Sequence, residues 1–336
     1  MDGFSAALLA WYDAHQRILP WRENTDPYRV WVSEIMLQQT RVTAAIPYYE
    51  RFLSELPSIR ALAEVDDDRL KKLWEGLGYY SRAKNLKAAA VRVVNEFGGK
   101  LPADFKVLQI LPGIGEYTAS AIGSIAFGLP TPTVDGNVLR VLARLRRSHA
   151  DISKPQTKRA FTEDAATLLD PARPGDFNQA MMELGAMVCL PNGAPLCDVC
   201  PVRSFCASRG TEDATALPVK PEKPARTVKQ LTVLVLVHEN KMLIRRRPES
   251  GLLAGMWEFP TCEGHQKKKE LEQEFEGSIT PLGRKTHIFT HIEWHMIGFR
   301  ITCEKRPALP GVWVTEEELS SQYALPVAFG KYRHMK

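Results

Sequence analysis

The periodicity of this chain changes once, near Cys206, and that change limits what it can fold into. From residue 4 to about residue 206 one helical pattern follows another, separated by Gly and Pro as at Gly98-Gly99 and Leu129-Pro130-Thr131-Pro132. Asp26-Pro27 opens one of these helices with a capping side chain and a first-turn proline, and it runs to about Gln39. Further helices are expected near 43–55, 67–75, 81–97, 104–110, 116–127, 136–147, 155–169 and 175–188. Beyond the change the period is two. Gln230 to Val237 and Met242 to Arg247 read as strands joined by a turn at His238-Glu239-Asn240-Lys241, with further strands at Ile297 to Cys303 and Gly311 to Val314. A charged helix is expected at 267–276. Between the two textures, residues 207–229 hold Pro218, Pro221 and Pro224 among Lys, Glu and Ala, the composition of a semi-rigid linker. The expectation is a multidomain chain: an all-α region over 1–206, a linker over 207–229 and an α+β domain with a sheet over 230–336.

The net charge of +5 is modest and uneven: residues 226–336 carry 17 Lys and Arg against 13 Asp and Glu, and the rest of the chain 27 against 26. A nucleic-acid-binding protein is often more basic than this, so a DNA partner has to be argued from motifs. Apolar runs such as Leu231–Val237 are far too short to span a bilayer, and no membrane partner is expected. Met1-Asp2-Gly3-Phe4 lacks the basic start of a secretory signal, so a cytoplasmic protein, monomeric by default, is expected.

Four of the six cysteines, Cys189, Cys197, Cys200 and Cys206, fall within 18 residues in the order Cys-x7-Cys-x2-Cys-x5-Cys. Without a secretion signal such a group reads as a metal site rather than as disulfides. Four thiolates on a loop stiffened by Pro191, Pro195 and Pro201 can enclose one tetrahedral zinc or a cubane iron–sulfur cluster. Zinc sites usually have two Cys-x2-Cys pairs or histidines. Here there is one such pair and no histidine among the four, which favours a [4Fe–4S] cluster.

Leu111-Pro112-Gly113-Ile114-Gly115 joins two expected helices. Gly113 and Gly115 permit a tight turn and close approach of a ligand, and the amides that follow suit a backbone phosphate gripped without reading sequence. A bare Gly-x-Gly is often only a turn. Asp135, in Val134-Asp135-Gly136-Asn137, precedes another helix. It is either the cap of that helix or a carboxylate that stabilises the cation formed at a sugar carbon when a glycosidic bond breaks. Glu34 has Val30 one turn before it, Leu37 and Gln38 one turn after it, and Trp31 and Ile35 at its sides. In an apolar stripe its pKa would rise toward neutrality, as a general acid or base requires; on a wet edge it would be an ordinary glutamate. Gln38-Gln39-Thr40 ends that helix with groups that either wedge into a base stack or cap a turn. Leu77-Gly78-Tyr79-Tyr80 sets aromatics beside glycine, for insertion between bases or for the core.

Together these words resemble the A/G-specific adenine DNA glycosylase (MutY) family of the endonuclease III, helix–hairpin–helix superfamily. The matching segments are Leu19-Pro20-Trp21-Arg22, Asp26-Pro27-Tyr28, Trp31 through Thr40, Trp74 through Arg82, the hairpin, Val134 through Val138, Phe177-Asn178-Gln179-Ala180 and the cysteine array. They stand in family order across residues 17–206. The resemblance implies a helical glycosylase core, with the hairpin-bearing barrel over about 20–127. Residues 1–19 and 128–206 would form the lobe that carries a [4Fe–4S] cluster on Cys189, Cys197, Cys200 and Cys206. The implied activity is base flipping and hydrolysis of adenine mispaired with 8-oxoguanine or guanine in double-stranded DNA. Glu34 matches the acid that protonates the adenine ring and later handles the water, and Asp135 the carboxylate that stabilises or captures the oxocarbenium ion. Tyr117 and Asn137 match groups that position these two, and Arg22 a residue at the adenine. Gln39 and Tyr79 match residues that fill the stack around the oxidised guanine. Leu37, Thr40, Gln179 and the hairpin glycines Gly113 and Gly115 are the further implied DNA contacts. The lyase branch of the superfamily carries a lysine where Tyr117 stands and lacks a glutamate at the position of Glu34, so a monofunctional glycosylase is expected.

The C-terminal region resembles the family's Nudix-like domain through Gly251 to Pro260. A Nudix hydrolase holds magnesium on a glutamate-rich helix. The acidic run Lys269 to Gly277 departs from that pattern in its second half, so binding without hydrolysis is expected. Phe289, Thr290 and His291 fall on the loop implied to touch the oxidised base, with Thr290 where the family usually has serine. The first cysteine interval, 190–196, is seven residues where the family commonly has six.

Overall fold

The computed structural model describes residues 3–222 and 224–333. In chain order the helical part is α1 (Phe4–His15), α2 (Pro27–Leu37), α3 (Val42–Glu55), α4 (Ile59–Glu64), α5 (Asp67–Leu73), α6 (Ser81–Glu96), α7 (Phe105–Gln109), α8 (Glu116–Phe127), α9 (Gly136–Leu145), α10 (Pro155–Leu168), α11 (Pro174–Met187) and α12 (Asp213–Ala216). Residues 3–64 and 84–222 form one compact unit, and residues 65–83 with 224–333 a second.

In the first unit local chemistry fixes the helix starts. The Asp26 carboxylate accepts the Arg29 amide at 2.9 Å and Asp104 accepts the Val107 amide at 2.9 Å, each satisfying a donor that the helix itself cannot. Residues 30–36 of α2 are all buried, because α2 packs against both α3 and α8. A second core gathers Phe4, Leu8 and Tyr12 of α1, Leu142 of α9, Phe161 of α10 and Phe177 and Leu184 of α11. Residues 207–222, expected as linker, instead pack with this unit. Leu217 is buried and its carbonyl accepts the buried Arg144 guanidinium at 3.0 Å, while the Val219 carbonyl accepts the Ile152 amide at 3.1 Å.

The second unit is built on a sheet of β1 (Thr227–His238), β2 (Lys241–Arg246), β3 (Trp257–Glu258), β4 (Thr261–Glu263), β5 (Gly277–Ile288), β6 (Ile292–Cys303) and β7 (Val312–Val314), with α13 (Lys268–Glu274), α14 (Glu316–Ser321) and α15 (Val327–Gly330). The order is β3-β2-β1-β6-β5, with β4 on β1 and β7 on β2. β1 and β6 run parallel from Thr227↔Ile292 to Val237↔Thr302; the other pairs are antiparallel. Alternation divides β1 between two cores: Val233, Val235 and Val237 face one, Leu234 and Leu236 the other. The sequence reading puts α5 and the loop after it in the helical region. They group with this sheet, where Lys71 and Lys72 donate to carbonyls of Gly255, Leu319 and Tyr323.

Candidate active site

A cavity of about 660 Å³ opens in the first unit. Arg22, Glu34, Leu37, Gln39, Thr40, Tyr117, Asp135, Asn137 and Gln179 all line it, so most of the site residues expected in this part of the chain come together. Glu34 enters from α2 and is only 6% exposed. Burial pushes its carboxyl up to about 7. The Tyr117 hydroxyl, from the first turn of α8, donates to Glu34 Oε2 at 2.9 Å and works against that rise, while the charge of Asp135 adds to it. The same phenol oxygen lies 3.6 Å from Met182 Sδ, and burial with two neighbouring carboxylates raises its own pKa well above the ordinary value.

Asp135 both caps α9 and lines the cavity. One oxygen accepts the amides of Asn137 and Val138 at 2.8 Å each, and the other accepts Asn137 Nδ2 at 2.8 Å. Burial raises its pKa; those three bonds and the charge of Arg140 oppose the rise. Asn137 is fixed in turn by Arg140, which donates to Asn137 Oδ1 at 2.9 Å, to the Gly185 carbonyl at 2.7 Å and to the Cys189 carbonyl at 2.9 Å. A Cβ on Gly185 would stand 2.6 Å from Asn137 Cβ, so glycine is what lets α11 approach this close.

Arg22 and Gln179 belong to a charge network with Arg17 and Glu183, two cavity residues that the sequence did not single out. Arg22 donates to Gln179 Oε1 at 3.0 Å and to Glu183 Oε1 at 2.9 Å, and Arg17 grips both Glu183 oxygens at 2.5–3.1 Å. Glu183 is 1% exposed. Burial alone would raise its pKa, but the two arginines outweigh it and hold the carboxyl below its ordinary value. Two buried or half-buried carboxylates therefore differ in state: Glu34 is poised near neutrality, Glu183 is ionised.

Gly113 and Gly115 do not line the cavity. Gly113 adopts φ 76 in the turn, where a Cβ would meet Asn85 at 2.8 Å, and Gly115 starts α8 as its N-cap. The cysteine loop lies beyond α9. Cys189, Cys197, Cys200 and Cys206 line one cavity of about 40 Å³. The seven-residue interval closes through a bond from the Leu196 amide to the Val188 carbonyl at 2.9 Å, which returns Cys197 toward Cys189. The buried Arg144 donates to Cys189 Sγ at 3.3 Å and to the Leu190 carbonyl at 2.9 Å. Burial raises the thiols of Cys197 and Cys206, and that of Cys200 to about 11. Among the described residues no group of three or more His, Cys, Asp or Glu is gathered to hold a single metal ion. Four sulfur donors around one cavity, beside a buried cation, fit a thiolate-held iron–sulfur cluster.

In the second unit, the Tyr79 and Thr290 hydroxyls are hydrogen-bonded at 3.0 Å. Thr290 sits at the tip of the β5–β6 turn. That turn is closed by the Phe289 amide on the Ile292 carbonyl at 2.8 Å and anchored by the Thr227 amide on the His291 carbonyl at 3.0 Å. The Phe289 ring makes edge contacts with His287 and Trp294, with centroids 4.6 and 4.9 Å away. Gln39 (φ 57) and Tyr79 (φ 48) both hold left-handed backbone, a conformation that surroundings must enforce on non-glycine residues.

A helical core with a glycine hairpin, in which the buried Glu34 and the half-buried Asp135 face one cavity, is joined to a sheet domain. Residues 32–166 match the family described as HhH-GPD superfamily base excision DNA repair protein, and residues 232–335 match the NUDIX domain. The adenine DNA glycosylase of Mus musculus is 40% identical over 95% of this chain and 75% of its own length. That of Homo sapiens is 38% identical over 95% and 71%. Among solved structures, a thermostable thymine-DNA glycosylase is 28% identical with a TM-score of 0.54, covering 61% of this chain and 94% of its own. An endonuclease III–DNA complex, 19% identical with a TM-score of 0.52 over 60% and 92%, shares the fold. The chain belongs to the adenine DNA glycosylase (MutY) family and is a DNA N-glycosylase, a hydrolase that acts on DNA. Among the described residues no helix is long and apolar enough to cross a membrane.

Proposed function

We propose that this enzyme releases adenine opposite 8-oxoguanine, or opposite guanine, from duplex DNA, acting as a monomer on a flipped-out nucleotide and leaving the strand intact. The observation that carries this reading is Glu34: a buried carboxyl with a pKa of about 7, hydrogen-bonded to Tyr117 and sharing a cavity with Asp135. Protonated Glu34 gives its proton to a ring nitrogen of adenine, and the glycosidic bond breaks with its electron pair leaving on the base. The cation formed at the sugar carbon is stabilised, or captured, by Asp135, whose two oxygens are already oriented by three donors. Glu34, now a carboxylate, takes a proton from the attacking water. Arg22, Gln179 and Glu183 supply a fixed polar edge against which the base is oriented.

Tyr117 stands where a lyase would need an amine, and a phenol hydrogen-bonded to Glu34 forms no Schiff base. Cys189, Cys197, Cys200 and Cys206, which line one cavity, would hold a [4Fe–4S] cluster, and such a cluster would cross-link that loop. Tyr79, Phe289, Thr290 and His291 meet the oxidised guanine, Gln39 fills the stack, and Gly113 and Gly115 grip backbone phosphate. The unit of residues 3–64 and 84–222 carries the catalysis, and the unit of residues 65–83 and 224–333 reads the lesion.

Single-turnover reactions on duplexes with adenine opposite 8-oxoguanine, guanine or cytosine, run with and without hot alkali, test this. Free adenine with strand breakage only after alkali is expected. Breakage before alkali would indicate a lyase, and tight binding without base release a non-catalytic sensor.

A further inference from the structure

The Tyr79 loop is held by residues far along the chain as much as by its own helix. The Lys72 ammonium, at the end of α5, donates to the carbonyls of Leu319 and Tyr323 at 3.4 and 3.1 Å and pairs with Glu75 Oε2 at 2.6 Å. An ammonium has three protons, and these three acceptors use them all. The other Glu75 oxygen accepts the Leu325 amide at 2.8 Å. Both side chains are largely withdrawn from water, at 14% and 25% exposure, so these charge-assisted bonds are little screened.

From Glu75 the chain reaches Tyr79 in four residues, through Gly76 (φ 102) and Gly78 (φ 73). Arg82 donates to the Leu77 and Gly78 carbonyls at 3.2 and 3.1 Å, with its guanidinium 5.6 Å from the Tyr79 ring. Tyr79 then takes its left-handed backbone and meets Thr290. The loop is thus pinned at one end to residues 319–325 and at the other to the β5–β6 turn, without DNA.

We propose that the Lys72–Glu75 pair is a positioning device that pre-forms the Tyr79–Thr290 hydroxyl pair and so sets discrimination between oxidised and ordinary guanine, although neither Lys72 nor Glu75 contacts the base. This rests on the reading that Tyr79 and Thr290 meet that base. The two bases differ at the N7 and C8 positions, where oxidation turns the N7 acceptor into an N–H donor and adds a carbonyl acceptor at C8. Hydroxyls at fixed positions reward the partner that matches them and are left unpaired by the one that does not, whereas a loose loop adapts to either.

The test is single-turnover adenine release and duplex affinity, with adenine opposite 8-oxoguanine and opposite guanine, for Lys72→Met, Glu75→Gln, Lys72→Arg, Thr290→Ala and the Lys72→Met/Thr290→Ala double variant. Lys72→Met and Glu75→Gln are each expected to lower the 8-oxoguanine-to-guanine ratio about fivefold, the scale of one lost net hydrogen bond, with the rate opposite guanine unchanged. Lys72→Arg should recover most of the ratio, and Lys72→Met should add nothing in the Thr290→Ala background. An unchanged ratio in both Lys72→Met and Glu75→Gln, with Thr290→Ala eroding it, would reject the positioning role and leave the lesion contacts standing. An equal loss on both substrates would also reject it. An unchanged ratio in Thr290→Ala itself would reject the lesion reading beneath it.

Discussion

The Tyr117 hydroxyl donates to Glu34 Oε2 at 2.9 Å, across 83 residues of chain. A donor to a carboxylate favours the ionised form, so this bond restrains the rise that burial imposes on Glu34 and keeps it at about 7 rather than higher. Tyr117→Phe removes the donor and leaves the burial. The alkaline limb of the single-turnover rate against pH is therefore expected to move to higher pH, with a lower rate at its plateau because the acid is less well oriented. A profile unchanged in position would mean that Tyr117 does not tune Glu34.

Glu34 should also cost stability. Its folded pKa of about 7 exceeds the ordinary 4.5, so between these values the unfolded chain releases a proton that the native protein keeps. Its contribution to stability is full below 4.5 and is lost as pH rises through 7. Glu34→Gln does not titrate. Denaturant unfolding should find the variant more stable than the native enzyme above neutrality, by up to about 3 kcal/mol, with the difference shrinking toward zero as the pH falls to 4.5. A pH-independent difference would contradict the buried, protonated acid.

Gly185→Ala should act on catalysis through Asn137. The new methyl would lie 2.6 Å from Asn137 Cβ, so Asn137 or α11 must shift, and with it the Asn137 Nδ2 bond to Asp135. Overpacking of this kind costs about 1–3 kcal/mol. Thermal unfolding should record that loss, and base release should fall by more than duplex affinity does. Native rates in a destabilised protein would separate Asn137 from the chemistry.

Cysteine substitution tests the loop. Purified native protein should be brown, with broad visible absorbance. Cys197→Ala and Cys200→Ala should lose that colour and lose stability, because each removes one of the four thiolates by which a cluster would cross-link the loop. A colourless, fully active native protein containing zinc would refute the cluster.

Much of this was legible in sequence, for physical reasons that differ by element. The helices of the first unit announce themselves through caps such as Asp26 and Asp104 and through proline at first turns. Asp135 read more readily as a helix cap than as a site carboxylate, and it caps α9 while lining the cavity. Glu183 left no local signal: on α11 it resembles any helical glutamate, and only Arg17 and Arg22, more than 150 residues away, make its burial possible. β5 was missed because its exposed residues and the irregularity between Pro281 and Gly283 break strand alternation. The grouping of α5 with the sheet depends on Lys71, Lys72 and Glu75 finding backbone partners up to 251 residues away, which no local pattern encodes.

The most direct test is adenine release by Glu34→Gln under single-turnover conditions, with duplex affinity measured on the same preparation. Removing the proton donor should lower release opposite 8-oxoguanine by at least about a hundredfold, the scale of general acid catalysis, while affinity stays within about threefold of native. Release at the native rate, or affinity lost in step with activity, would contradict Glu34 as the acid that frees the base.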